Sequence, residues 1–304
     1  MKQIVLINYG GPEEPSQVRN YLFRLFSDQN VIHLPARKFY QKLLARIISR
    51  LREKKSKKNY EAIGGSPIIS ITQALVQKLN RRRKHLYYAA MAFSPPFINH
   101  VLDFLPLKDV FIFPLFPHFS KTTTGACLDL ARKSSKRIFY LREYWADPDF
   151  NSLIVKRVNN AASNGKRTSI LFSAHSIPLR YAEKGDPYFK SIHSHFRLLQ
   201  NLLPQNSLFI AFQSRLGLLK WAGPSLKKVL YRIKDQGFKS IVLYPMSFTI
   251  DNYETSYEID RYYRNDIIHK LNFSFKRIPY LNDSKDFISF IEKKIDEGKW
   301  LELA

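Results

Sequence analysis

Short, almost uninterrupted apolar runs, each followed by a loop of small or turn-forming residues and then a helix-patterned stretch, constrain this 304-residue chain most strongly. In the first half they are IVLINY (4–9), HLYYAAMAF (85–93), VFIFPLF (110–116) and RIFYLREY (137–144). In the second half they are SILFSA (169–174), LFIAFQS (208–214), SIVLYPMSF (240–248) and FSFKRIPYL (273–281). Continuous rather than alternating apolar strands, separated by helical segments, are the pattern of parallel sheets covered on both faces. The halves repeat one another. The reading is therefore α/β, with two doubly wound domains at 1–145 and 146–284, each a four-stranded parallel sheet flanked by helices. Residues 285–304 form a C-terminal helical stretch, with Phe287, Ile288, Ile291 and Ile295 on one side, packing back on the domains.

Composition excludes several classes. A chain that is 45% hydrophobic and 14% aromatic can bury a sizeable core. Its one cysteine, Cys127, rules out a disulfide framework and any cysteine-only metal cluster. The N-terminal run breaks at Gly10-Gly11 and meets Glu13 and Glu14, unlike a signal peptide. The best apolar stretch, FIFPLFPHF, is cut by Pro114, Pro117 and His118, so no spanning helix is expected. The expectation is a cytoplasmic protein. With 49 Lys plus Arg against 25 Asp plus Glu, the net charge of +24 favours anionic partners. Much of it lies between Arg37 and Lys58, where Phe39, Leu43, Leu44, Ile47, Ile48 and Leu51 recur at helical spacing. Such a helix can rest on an anionic membrane at its inner face, or pack its stripe on its own domain. An aromatic-on-strand motif or a helix-turn-helix would mark a nucleic-acid binder, and neither is found, so no nucleic-acid partner is expected.

Ligands of open α/β sheets bind beyond the carboxyl ends of the strands. Here those ends read NYGGP, AFSPP, PHFSKTTTG, SAHSIP, FQSR and SFTIDNYET. Gly10-Gly11-Pro12 lacks the spacing and lysine of a phosphate loop. Ser120 to Gly125 offers hydroxyls at a helix start, where N-capping is the plain alternative to ligand contact. His175 stands at a strand mouth between small residues. Glu254 and Glu258, four apart, share one face of a helix. A histidine so placed also serves as a hydrogen-bonded structural residue, and such an acidic pair as a solvated face. Together, imidazole and carboxylate suit a borderline divalent metal such as Fe(II), and no HExxH or paired-cysteine spacing supports a resident zinc.

Taken in order, NYGGPEEPSQVRNYLFRLFSDQNVI, IGGSPI (63–68), PLFPHFSKTTTG (114–125), LFSAHSIP (171–178), KGDPY (184–188), FQSRLGLLKWAGP (212–224) and SFTIDNYETSYEID (247–260) resemble the ferrochelatase family of haem biosynthesis, of bacterial type. The resemblance spans the chain. It implies a lyase that inserts Fe(II) into protoporphyrin IX with release of two protons, in a cleft between two Rossmann-like domains. His175 and Glu254 would be the catalytic and metal-contacting residues, with Glu258 a proton or iron relay. Tyr9, Ser66, Ser120, Thr122 and Asp251 would contact the porphyrin. Fe(II) and porphyrin are then substrates, no cofactor is tightly bound, and with no cysteine after Cys127 there is no iron–sulfur cluster. Lys54, Lys55, Lys57 and Lys58 are candidates for pairing with propionates. The sequence departs from relatives at Tyr262, Asn252, Ala92-Phe93 and Phe119. Two alternatives stay open: coproporphyrin III as substrate, and a non-catalytic tetrapyrrole-binding protein.

Overall fold

The computed structural model describes residues 1–32, 38–162, 168–214 and 220–304. Its chain divides into two units, one comprising 1–143, 250–253 and 282–304, the other 144–249 and 254–281. The C-terminal segment thus belongs with the first unit.

In the first unit, strands β1 (Gln3–Asn8), β2 (Leu86–Met91), β3 (Asp109–Pro114) and β4 (Arg137–Tyr140) run parallel. Helices α1 (Val18–Ser27), α2 (Lys38–Glu61), α3 (Ile68–Arg81), α4 (Ile98–Phe104) and α5 (Ala126–Ala131) connect or cover them. Every residue of β1 is buried, as a strand covered on both faces should be. The sheet order is β2-β1-β3-β4-β9, where β9 (Leu301–Glu302) adds antiparallel to β4. This fifth strand was not anticipated. It is two residues long, with an Arg137–Glu302 ion pair at its edge, and carries no apolar run to announce it.

The second unit holds α6 (Pro148–Ala162), β5 (Thr168–His175), α7 (Leu179–Glu183), α8 (Tyr188–Leu202), β6 (Ser207–Gln213), α9 (Leu226–Asp235), β7 (Ser240–Pro245) and β8 (Ser274–Arg277). Its parallel sheet has the order β6-β5-β7-β8, the same winding as the first four strands of the other unit. The duplication read from the sequence is therefore topological as well. Leu171, Ala211, Leu226, Leu230, Ile233, Ile241 and Leu243 form part of a core between sheet and helix, each large side chain contributing roughly 1.5–3 kcal/mol. In the first unit α10 (Lys285–Glu297) lies against α3, tied by Arg82–Glu292 at 2.7 Å, with Phe287, Ile288, Ile291 and Ile295 buried as expected.

Helix α2 distinguishes the two readings of its apolar stripe. Its inward face is Gln41, Ala45, Ser49 and Tyr60, all buried, and Gln41 donates to the carbonyls of Phe26 and Ile32. The apolar stripe points outward instead: Leu43 is 45% exposed, Ile47 48% and Leu51 78%, with Leu44 and Tyr40 also exposed and Ile48 half-buried. Arg37 and the Phe39 side chain lie outside the described residues. Among the described residues, no helix is long and apolar enough to cross a membrane.

On α8, His195 is wholly buried among Trp145 and Phe150. The Asn151 amide donates to the carbonyls of Trp145 and Asp147, so its oxygen faces His195 Nε2 at 3.0 Å and accepts from it. That fixes the neutral tautomer. Burial pushes the His195 pKa down to about 3. Between that value and the unfolded value near 6.5 the unfolded chain binds the extra proton, so stability is lost as pH falls through this window, by up to about 1.4 kcal/mol per unit. His195→Gln should flatten the acid limb of a stability–pH profile measured by chemical denaturation. An acid limb unchanged by the substitution would contradict this account.

Candidate active site

In a sheet wound in this order, the crevice for ligands opens where successive connections part to opposite sides. In the first unit that point lies between β1 and β3, and in the second between β5 and β7. The candidate residues gather at both carboxyl ends.

Beyond β1, Tyr9 packs on Phe93 and Phe116, and its hydroxyl donates to the carbonyl of Thr122. Beyond β3, Ser120 caps the turn Lys121–Gly125: its hydroxyl oxygen accepts from the Thr122 amide at 3.1 Å and lies 2.9 Å from the Thr122 hydroxyl. Ser66 sits under the first loop, where its amide donates to the Pro12 carbonyl at 2.8 Å. A Cβ on Gly11 would come within 2.5 Å of the Ser66 hydroxyl, so only glycine lets these two loops meet. Asp251 is engaged elsewhere in the first unit. Its amide and carboxylate make a reciprocal pair with the Asn282 side chain at 2.8 and 2.7 Å, which ties residues 250–253 to the turn before α10. Of the proposed propionate partners, Lys57 is paired with Glu53 at 2.9 Å.

The second unit brings His175, Glu254 and Glu258 together. His175 is the last residue of β5, in register with Gln213 at the end of β6. Its amide donates to Ser247 Oγ at 2.6 Å, and the Tyr188 hydroxyl bridges Ser247 and the His175 carbonyl at 2.9 and 3.2 Å. The ring Nδ1 meets the Ser176 carbonyl, an acceptor, so Nδ1 carries the proton and Nε2 presents its lone pair. Nε2 faces Glu254 Oε1 at 3.7 Å. His175 keeps 37% of its side-chain surface exposed. Enclosure of the rest lowers its pKa, opposed by the charge of Glu258 and by the Ser176 carbonyl.

Glu254 opens a π-helix, Glu254–Ile268, whose i→i+5 bonding is rare over such a length and recurs at functional sites. Only 15% of its side chain is exposed. Burial raises its pKa to about 8, against the hydrogen bond from Gln213 Nε2 to Oε2 at 3.3 Å. Glu258 accepts from the Ser214 hydroxyl. Near neutral pH the pair is therefore a neutral imidazole beside a carboxyl that holds its proton loosely. Two donors 3.7 Å apart, each about 2.1 Å from a shared metal, subtend roughly 120° at it, so one divalent ion fits between them. Among the described residues no group of three or more His, Cys, Asp or Glu could hold a metal. Two donors and an ionisable neighbour can bind and release an ion while exchanging protons.

The ferrochelatase family profile matches residues 2–299. The chain belongs to the ferrochelatase family. It is 33% identical to a ferrochelatase of Campylobacter fetus over 97% of this chain and 99% of that one, and 36% identical to one of Nitratiruptor over 85% and 87%. The fold also matches a sirohydrochlorin chelatase, SirB from Bacillus subtilis solved with cobalt, at a TM-score of 0.56 and 12% identity, covering 98% and 95% of the two chains. This ferrochelatase is thus a metal chelatase, a lyase of haem biosynthesis that inserts metal into a porphyrin. Residues around its site that the sequence reading did not assign are Ser173, Tyr188, Gln213, Ser214 and Ser247. Tyr188 ends KGDPY, and Gln213-Ser214 begins QS-x-x-G, so the signal lay in the motifs themselves.

Folding raises the Glu254 carboxyl from 4.5 to about 8, so between these values the folded state binds the proton more tightly than the unfolded chain. Stability from this group is full at lower pH and declines as pH rises through the window. Glu254→Gln should therefore be more stable than the parent at about pH 8, with a flatter decline from about pH 5. Denaturant unfolding across that range checks it, and a variant less stable at the alkaline end would contradict the burial argument.

Proposed function

We propose that this ferrochelatase inserts Fe(II) into protoporphyrin IX, forming protohaem and releasing two protons. The observation that carries the reading is the His175 tautomer, with Nδ1–H spent on the Ser176 carbonyl and Nε2 left open 3.7 Å from a buried carboxyl. Metal entry requires both pyrrole N–H protons to leave. His175 Nε2 accepts one as its lone pair is free, and Glu254, once its own proton has left to solvent, accepts or passes on the other, because a pKa near the working pH favours transfer in both directions. Imidazole and carboxylate together suit Fe(II), and a two-donor site holds it loosely enough to surrender it to four pyrrole nitrogens. Glu258 lies beyond as the relay for iron or protons. In the first unit, Tyr9, Ser66, Ser120 and Thr122 line the strand ends on which the macrocycle would rest, with Phe93 and Phe116 behind Tyr9 as an apolar bed. Asp251 supports that surface through Asn282.

The enzyme is proposed to work in the cytoplasm and to touch the inner face of an anionic membrane. The outward stripe of α2 supports this: Leu43, Leu44, Ile47 and Leu51 are exposed, and Arg46, Arg50, Lys54, Lys55 and Lys58 around them are exposed cations. Each cation near an anionic leaflet contributes roughly 1 kcal/mol, weakened by salt.

Anaerobic assay of the purified enzyme with Fe(II) and either protoporphyrin IX or coproporphyrin III tests the reaction. His175→Ala should abolish insertion while porphyrin binding, read by fluorescence, stays near the parent value. Near-parental turnover in His175→Ala would remove its catalytic role, and turnover of coproporphyrin alone would correct the substrate. Co-sedimentation with anionic vesicles should fade with salt and with Ile47→Glu plus Leu51→Glu. No sedimentation at low salt would reject the membrane contact.

A further inference from the structure

The last residue of strand β6, Gln213, and the residue after it, Ser214, both reach the π-helix with their side chains. Gln213 Nε2 donates to Glu254 Oε2 at 3.3 Å, and the Ser214 hydroxyl donates to Glu258 Oε2. Successive side chains of an extended strand point to opposite faces, so a regular continuation would turn Ser214 away from the helix that Gln213 touches. Ser214 escapes the alternation through its backbone. Its φ is +63°, in the left-handed region that a serine enters only at a cost. Such an outlier is most informative where it re-aims a side chain at a site.

A third hydroxyl orients the first prong. Ser173, two residues before His175 on β5 and so on the same side of the strand, donates to Gln213 Oε1 at 2.6 Å within the core. With its oxygen so engaged, the Gln213 amide can present only N–H to Glu254. One carboxylate oxygen of Glu254 is thereby held, and the other, Oε1, is aimed at His175 Nε2. Gln213 is 2% exposed, so water cannot replace it in this role.

We propose that Gln213 and Ser214 are positioning residues for metal transfer, a two-pronged clamp that fixes the spacing of Glu254 and Glu258 and the direction in which Glu254 presents Oε1 to His175. The proposal rests on the roles given to those two carboxylates above. The strained backbone of Ser214 is the device that lets neighbouring residues serve adjacent positions of one helix face.

Ser214→Gly separates positioning from stability. Glycine occupies the left-handed region freely, so this variant should unfold at a temperature equal to or above the parent's, yet its KM for Fe(II) should rise about tenfold for the lost bond to a carboxylate. Ser214→Ala should show the same rise in KM without the gain in stability. Gln213→Leu should lower kcat and raise the KM for Fe(II), about tenfold in each, with the KM for porphyrin unchanged. Ser173→Ala should give a weaker form of the Gln213→Leu effect and add nothing to it in the double variant, while Ser173→Thr keeps the hydroxyl and the parental rate. Parental metal kinetics in Ser214→Gly and Gln213→Leu, alongside a dead Glu254→Gln, would overturn the clamp. An equal rise in the KM values for porphyrin and metal with a fall in unfolding temperature would also overturn it. An active Glu254→Gln would instead strike at the catalytic assignment on which the clamp depends.

Discussion

A carboxyl taken out of water beside an imidazole that keeps its own proton elsewhere is the arrangement on which the second unit depends. Desolvation raises Glu254 to about 8, and the same enclosure lowers His175, so the two groups meet near neutrality with little charge between them. Such a pair is costly to fold around, because water would stabilise both ionised forms better than the protein does. The surrounding polar atoms repay part of that cost and restrict the geometry. Ser176 takes Nδ1–H, Ser247 and Tyr188 hold the backbone of His175, and Ser173 and Gln213 hold one oxygen of Glu254. These contacts leave His175 Nε2 facing Glu254 Oε1 at 3.7 Å.

The fold supplies the place for that pair by repeating one winding. Both sheets reverse their strand order between the first and third strands, and both gather polar residues at the carboxyl ends there. The two ends carry different chemistry. In the first unit they are aromatic and hydroxylic, with Tyr9, Phe93 and Phe116 beside Ser120 and Thr122. In the second they are titratable. Aromatic-hydroxylic and titratable strand ends are therefore carried by separate halves of one duplicated architecture.

The strands were legible because burial on both faces leaves continuous apolar runs, and His175 and Glu254 because the motifs around them are specific. Other parts left weaker traces. The direction of the α2 stripe could not be read, since Leu43, Ile47 and Leu51 have the same period whether they face core or solvent; it is the polar Gln41 and Ser49 and the small Ala45 that pack inward. The π-helix has no signature in a sequence scanned at helical spacing, with only Thr255, Ile259, Ile267 and Ile268 buried along it. Gln213 and Ser214 were missed as site residues because strand alternation forbids both from facing one way, and the left-handed turn that lifts the prohibition is not written in a serine. Strand β9 is too short for any periodic signal.

The central claim is that His175 Nε2 and Glu254 Oε1 share the incoming metal. Anomalous diffraction from crystals of the enzyme soaked anaerobically in Co(II) without porphyrin tests it directly. The account predicts one ion between these two atoms, at about 2.0–2.2 Å from each, with the remaining positions filled by water. An ion bound by other side chains, with His175 and Glu254 left without it, would contradict the account.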